Sequence, residues 1–468
     1  MQSLIRGSIF ITLTDSKELM MIKHLRPFKR ILLACLVWML IAGMQSSFAQ
    51  VSESKDQYRQ ISLEEYNNKV AGGWMGQAIA VLWGQWTEGI WQGEMIPFEL
   101  NDWYKTKATS ESSPEVINWA KSPPVAITYE PEPWGKLKDY IKDFNNWETW
   151  TPDEMCDQDD LYLEFMFLYS IRSKGLDVSA TEIAEDWLKY LDKKRTWGAN
   201  KNAYSNFEKG IWPPLSGHPD HSHYGDAIDF QIESDLFGLI NPGMPRISNF
   251  WCDRVGHIMN YGDGVYAGMA MAAMYGEAFF ESDPRKLAEF SLRAIPAECG
   301  YAKMVRDVLD LHQKYPDWED AWRALQPKWA WKDGKLVPGL DVKLNGAYVY
   351  MGLLYGGGDF LKSMNISMRC GTDSDCNPSS VAGILGTVLG LDRIPEKWAV
   401  LRDLPIDNMS ISEIYPASIN WDDILEATVE VGKWNILQHG GYIENGILFI
   451  PYQSPASPPL EQTSWIAK

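Results

Sequence analysis

Apolar and small residues recur at helical spacing along most of the chain, and strand-like alternation is rare. A run from Leu63 to Leu82 opens on a Ser62-x-x-Glu65 capping box and predicts the first helix. Asp160 to Arg172 is apolar on nearly all faces, which predicts a helix buried all round. Further helices are expected over Val178–Leu191, Val255–Phe280, Leu287–Ile295, Met304–Tyr315, Trp318–Ala324, Val342–Tyr355, Asp359–Met368 and Ser379–Leu389. The clearest strand signal is Gly441 to Ile450, where Asn445-Gly446 marks a hairpin turn. Long Pro- and Trp-rich connections run from Trp83 to Trp150 and from Trp197 to His223, and loops of that length are usually functional. The pattern therefore predicts an all-α fold with long loop insertions, a small C-terminal β-hairpin and a loose Pro/Ser-rich tail from about residue 454.

Residues 1–49 read as an export signal. A basic stretch, His24 to Arg30, precedes an apolar run, Ile31 to Met44, and Ser47-Phe48-Ala49 offers a cleavage site. The run is short for a membrane span, and an uncleaved anchor is the alternative. The whole chain carries a formal charge of −19; without residues 1–49 it falls to about −23. So acidic a protein is poorly suited to nucleic acid or, once the signal is cleaved, to an anionic membrane. Five cysteines then remain, at 156, 252, 299, 370 and 376, which is no disulfide framework. Cys370 and Cys376 are read as small buried residues rather than as a bridge. The 22 tryptophans mostly suit core packing, but in an exported acidic protein they also fit a carbohydrate ligand, whose rings stack on flat aromatic faces.

Candidate chemistry sits at four places. Asp373 and Asp375 stand one residue apart before a small-residue helix, with Asn377 as expected N-cap and Pro378 in the first helical position. Gln158-Asp159-Asp160 heads the buried helix, where a charge needs a partner or a cation. Two such acidic pairs suggest one shared site for a hard cation. Glu88 lies in a glycine-bounded loop, Gly84 to Gly89. His218, His221 and His223 form a histidine-rich loop that could hold zinc, although no Cys or carboxylate beside it completes a familiar pattern.

Taken together these stretches resemble the ADP-ribosylglycohydrolase family. Lys69 to Glu88 looks like its opening helix and glutamate loop. Gln158-Asp159-Asp160-Leu161 is similar to its Thr-Asp-Asp-Thr motif, Tyr261 to Gly268 to its middle helix, and Gly371 to Gly383 to its closing Gly-Asp-Thr-Asp-Thr stretch. The resemblance spans about residues 69–392. It implies an orthogonal multi-helix bundle over 56–400, with 401–468 as an extension packed on the same domain. It also implies Mg²⁺, one or two ions, with Mn²⁺ or Ca²⁺ as substitutes, held by Gln158, Asp159, Asp160, Asp373, Asp375 and Cys376. Glu88 and Asp160 would be catalytic, and Trp86, His221, His223 and Asp229 would meet the substrate, a small molecule or a glycan. Gln158 and Cys376 stand where the family has Thr, Val81 where it has Asp, and Ala227 to Gln231 replaces its Gly-Asn-Gly region. The implied activity is metal-dependent hydrolysis of a glycosidic bond in an ADP-ribosyl, nucleoside or related substrate. A glycan-directed glycosidase on the same fold, a catalytically silent binding or structural relative, and a zinc hydrolase using the histidine loop are the competing readings. Oligomeric state is not legible.

Overall fold

In the computed structural model, which describes residues 57–461 apart from 110–111, 122–133, 154, 156 and 416–418, helix α1 (Leu63–Gly84) runs through the centre of the unit that starts at Tyr58. The expected export signal lies outside the described residues. Ser62 caps α1 by accepting from the Glu65 amide at 3.0 Å. From Lys69 to Gly84 every residue of α1 is buried. Five further helices, labelled in chain order, position the site: α2 (Asp159–Lys174), α3 (Asp229–Ile232), α4 (Asp263–Ala278), α5 (Val342–Gly356) and α6 (Cys376–Leu389). They belong to seventeen α-helices among the described residues, against seven short strands, so the fold is all-α.

The antiparallel pair α1 and α6 is packed backbone to backbone. A Cβ on Gly72 would lie 2.2 Å from the Gly386 carbonyl oxygen, and one on Gly76 would lie 2.1 Å from that of Ala382. Only glycine permits this approach. Lys69, buried on α1, donates from Nζ to the carbonyls of Ala278 (3.3 Å), Thr387 (3.2 Å) and Val388 (3.0 Å). Its cation thus sits at the C-terminal ends of α4 and α6, where the helix dipole favours positive charge. Antiparallel packing then places the loop after α1, with Glu88, beside the loop before α6, with Asp373 and Asp375.

Several boundaries differ from the sequence pattern. The run Val255–Phe280 is two helices, Pro245–Gly256 and α4, because the chain reverses at Gly262 with φ +57°. Helix α6 starts at Cys376, not after Asn377: the Asn377 side chain donates to Asn345 Oδ1 at 2.9 Å instead of capping. Pro378 falls inside the first turn, where its missing N–H breaks no helical bond. The long Trp83–Trp150 connection holds helices Pro114–Lys121 and Trp134–Lys142 and a ribbon of Tyr104–Thr106 with Trp147–Thr149. The Asn445-Gly446 hairpin forms as expected, and its strand Ile447–Pro451 also pairs antiparallel with Tyr58–Ser62.

Beyond residue 401, helix Trp421–Gln438 packs against α1, with Trp74 Nε1 donating to Thr428 Oγ1 at 3.1 Å. The tail, expected to be loose from residue 454, is tied down as far as Glu461. Arg246 Nε donates to the Ser454 carbonyl (3.0 Å) and Asn249 Nδ2 to that of Ala456 (3.1 Å). Glu461 accepts from the Gly262 amide (2.8 Å) and meets His257 Nε2 at 2.6 Å. A Pro/Ser-rich composition gives no helix or strand, but its carbonyls remain available to side chains of the Pro245–Gly256 helix.

Candidate active site

Two backbone hydrogen bonds fasten the Glu88 loop to the aspartate loop. The Gly89 amide donates to the Thr372 carbonyl (3.0 Å), and the Thr372 amide donates to that of Trp91 (2.8 Å). The hydroxyls of Thr87 and Ser374 meet at 2.7 Å below them. From the other side, the head of α2 brings Gln158, Asp159 and Asp160. The result is a cavity of about 150 Å³ whose lining includes Glu88, Gln158, Asp159, Asp229, Asp373, Asp375 and Cys376. Asp160 is 1% exposed and lies behind this lining rather than in it. Ligand atoms of Asp159, Asp160 and Cys376 all lie within 4.8 Å of one another, as do those of Asp373, Asp375 and Cys376. The Cys376 thiol is common to both triads.

Burial raises every carboxylate here, and repulsion from neighbouring carboxylates adds to it at all but Asp373. Burial and the Asp373 charge push Asp160 up to about 7. Glu88 is held well above its ordinary range by burial and by Asp375, Asp373, Asp159 and Asp160. Asp159 and Asp375 shift the same way, and Asp373 rises too, all chiefly through burial. Carboxylate oxygens Asp160 Oδ2, Asp373 Oδ1 and Asp229 Oδ2 are buried without a hydrogen-bond partner among the described residues. Orphaned oxygens in a crowd of like charges fit a divalent cation, which would satisfy both deficits at once. The donor set is mostly hard oxygen, as Mg²⁺, Mn²⁺ or Ca²⁺ require, with one soft thiol.

Asp229 heads α3 and reaches this cavity from a separate direction. Its Oδ1 accepts from the Asn200 amide at 3.1 Å, at the head of helix Gly198–Phe207. Gly198 has φ +44°, and a Cβ there would lie 2.7 Å from Asp229 Oδ1, so only glycine lets the carboxylate in. Burial lifts Asp229 to about 6, against the pull of the Asn200 amide.

The other expected contacts lie elsewhere. Trp86 is buried in the hydrophobic core and does not line the cavity. His221 and His223 are exposed on the outer surface; the His221 carbonyl accepts from Asn206 Nδ2 at 2.9 Å, so its backbone is what the fold uses. No metal-ligand cluster among the described residues includes His218, His221 or His223.

Trp197, Ile232, Leu340 and Gln92, which also line the cavity, were not foreseen from the sequence. Ile228 and Ile232 flank Asp229 on α3 and pack with Cys376. Leu340 arrives because the Ile228 amide donates to its carbonyl (2.9 Å) and the Val342 amide donates to that of Asp226 (3.0 Å). Asn345 Nδ2, on α5, donates to the Gly339 carbonyl at 2.8 Å while its Oδ1 accepts from Asn377 on α6. One amide therefore joins the Gly339–Leu340 segment to the head of α6.

Comparison with known proteins gives one family. The model of the ADP-ribosylglycohydrolases matches residues 62–423. A solved structure described as an ADP-ribosylglycohydrolase-related protein complex is similar at 15% identity, covering 79% of this chain and 98% of its own, with a TM-score of 0.47. No curated protein matches the chain.

Proposed function

Because the chain belongs to the ADP-ribosylglycohydrolase family, we propose that it is a metal-dependent hydrolase that cleaves a glycosidic bond at a ribosyl carbon. The single observation that carries this reading is the convergence of Glu88, Asp159, Asp229, Asp373 and Asp375 on one cavity, with buried carboxylate oxygens that no described residue satisfies. Asp159, Asp160, Asp373 and Asp375 would hold the cation or cations, with the Gln158 amide oxygen and Cys376 beside them. A divalent ion bound there supplies charge neutralisation and a template for vicinal hydroxyls.

The chain's own part is proton transfer and positioning. Glu88 lines the cavity, and burial with the neighbouring aspartate charges strengthens its hold on a proton, so it serves as general acid. Asp229, at about 6, is ionised at neutral pH, and its free Oδ2 serves as general base. The C1 bond to the leaving group breaks, and the leaving atom takes the Glu88 proton. A water oxygen bonds to C1 and gives its proton to Asp229. The surrounding carboxylates stabilise positive charge developing on the sugar ring. Export directed by residues 1–49 is part of the same proposal.

Asp373→Ala and Asp159→Ala test it. Calorimetric titration with Mg²⁺ and Mn²⁺ should show binding to the parent chain and at least tenfold weaker binding to each variant, with hydrolysis of ribosides lost in parallel. Full turnover in both variants would sink the metal role. A second reading, a silent relative, rests on Cys376, whose soft thiol stands at the centre of both triads. Normal folding with no affinity for either ion in the parent chain would favour it.

A further inference from the structure

Asp229, the general base of the hydrolase reading on which this inference rests, stands on the least self-sufficient element of the site. Helix α3 is 4 residues long, Asp229–Ile232. A single helical turn is not stable alone, because fixing its backbone outweighs the hydrogen bond gained. The other acidic groups come from better-held elements. Helix α2 has 16 residues, and the Gly89 and Thr372 amides tie the loop of Glu88 to that of Asp373. The place of Asp229 is therefore set from outside α3. The Asn200 amide orients its carboxylate, but the backbone beneath needs a hold of its own.

Two features supply that hold. The first is a socket for the next side chain. Phe230 is fully buried, and its ring edge meets Gly256 and Gly268, where a Cβ would lie 2.8 Å and 2.4 Å from it. The second is Asn260, fully buried in the turn between the Pro245–Gly256 helix and α4. Its Oδ1 accepts from the Phe230 amide at 3.0 Å, and that amide belongs to the peptide joining Asp229 to Phe230. Its Nδ2 donates to the carbonyls of Tyr224 (2.9 Å), Gly225 (3.2 Å) and Ala227 (2.9 Å). Both N–H groups and the carbonyl oxygen of one side chain thus serve residues 224–230. The turn is itself fastened: the Tyr261 amide donates to the Gly225 carbonyl (3.1 Å), the Ser216 hydroxyl to that of Ile258 (2.7 Å), and Glu461 accepts from the Gly262 amide. The Asn260 side chain bonds to none of the candidate metal ligands. Its loss would leave the buried Phe230 amide without its acceptor, which favours a shift of the backbone beside Asp229.

We propose that Asn260 is a positioning residue: by fixing the backbone of residues 224–230 it places the Asp229 carboxylate in the cavity, and it acts on the reaction only through Asp229.

Asn260→Ala in the full chain tests this. A crystal structure of the variant should show the Asp229 carboxylate displaced by about 1 Å or more, a shift that can cost about 10²-fold in rate. Accordingly kcat on a cleaved riboside should fall about tenfold or more. Mg²⁺ affinity, measured by calorimetry, should stay close to that of the parent, because the cation's ligands stand on other elements. In an Asp229→Asn background the same substitution should lower kcat by less than about twofold further, since the group it places is already gone. If Asn260→Ala does not fold, Asn260→Ser, which keeps one hydroxyl, carries the same measurements. An unmoved Asp229 carboxylate would overturn the proposal, as would a kcat equal to that of an active parent or a loss that multiplies with that of Asp229→Asn. A displaced Asp229 in a chain whose parent cleaves no riboside would leave the placement standing and count instead against the hydrolase reading.

Discussion

Glu88 shows how much one residue's setting decides. A glutamate in a loop is ordinarily solvated; this one is fixed by the Gly89 and Thr372 amides of its neighbours and faces four aspartates. Glu88→Gln keeps the shape and removes the transferable proton. We expect kcat on a cleaved riboside to fall about 10²- to 10⁴-fold, with Mg²⁺ affinity kept or improved, since one repelling charge is gone. A parallel loss of metal binding would make Glu88 a ligand rather than an acid. At this scale the sequence was informative wherever a charge heads a buried helix, because such a charge requires a partner; that logic pointed to Asp159, Asp160, Asp373 and Asp375. It did not point to Trp197, Ile232 or Leu340, since an apolar residue that lines a cavity reads like any core residue. His221 and His223 drew attention through side-chain chemistry, yet they are exposed and do not line the cavity.

At the scale of elements, the pair α1 and α6 sets the site. Gly72 and Gly76 on one helix and Gly386 on the other remove the side chains that would hold two helices about 8–10 Å apart. Gly72→Ala would gain helix propensity, about 1 kcal/mol. It would also drive a methyl group to 2.2 Å from the Gly386 carbonyl, where backbone has to move. Overpacking of that kind costs about 1–3 kcal/mol, so the net effect should be a lower Tm, accompanied by weaker Mg²⁺ binding as the two loops part. An unchanged Tm with unchanged Mg²⁺ affinity would show that the approach is not what fixes the site. The small-residue pattern of both helices was visible in the sequence. Their pairing was not, because spacing shows that a helix can be approached closely and leaves its partner unnamed.

For the molecule as a whole, the raised carboxylates make stability depend on pH in a definite direction. Their folded pKa values exceed the unfolded ones of about 4, so the fold binds more protons than the unfolded chain over the interval between. That contribution is present in full below about pH 4 and is lost as pH rises, up to about 7 for Asp160 and about 6 for Asp229. The metal-free protein should therefore lose Tm between pH 4.5 and 7.5. A divalent cation should restore it at pH 7.5, by about 2.7 kcal/mol at a hundredfold excess over its Kd, and much less at pH 4.5. Scanning calorimetry with and without Mg²⁺ would check this; a flat Tm, or equal gains at both pH values, would refute it. The closest partners of α1 lie at opposite ends of synthesis. This helix emerges first, and Gly386 and the strand Ile447–Pro451 that pairs with Tyr58–Ser62 are made long after it. A nascent chain therefore cannot close its centre until those distant segments have been made. Contacts so distant in sequence slow folding, and such a delay would suit the export proposed for residues 1–49, which requires a chain not yet folded.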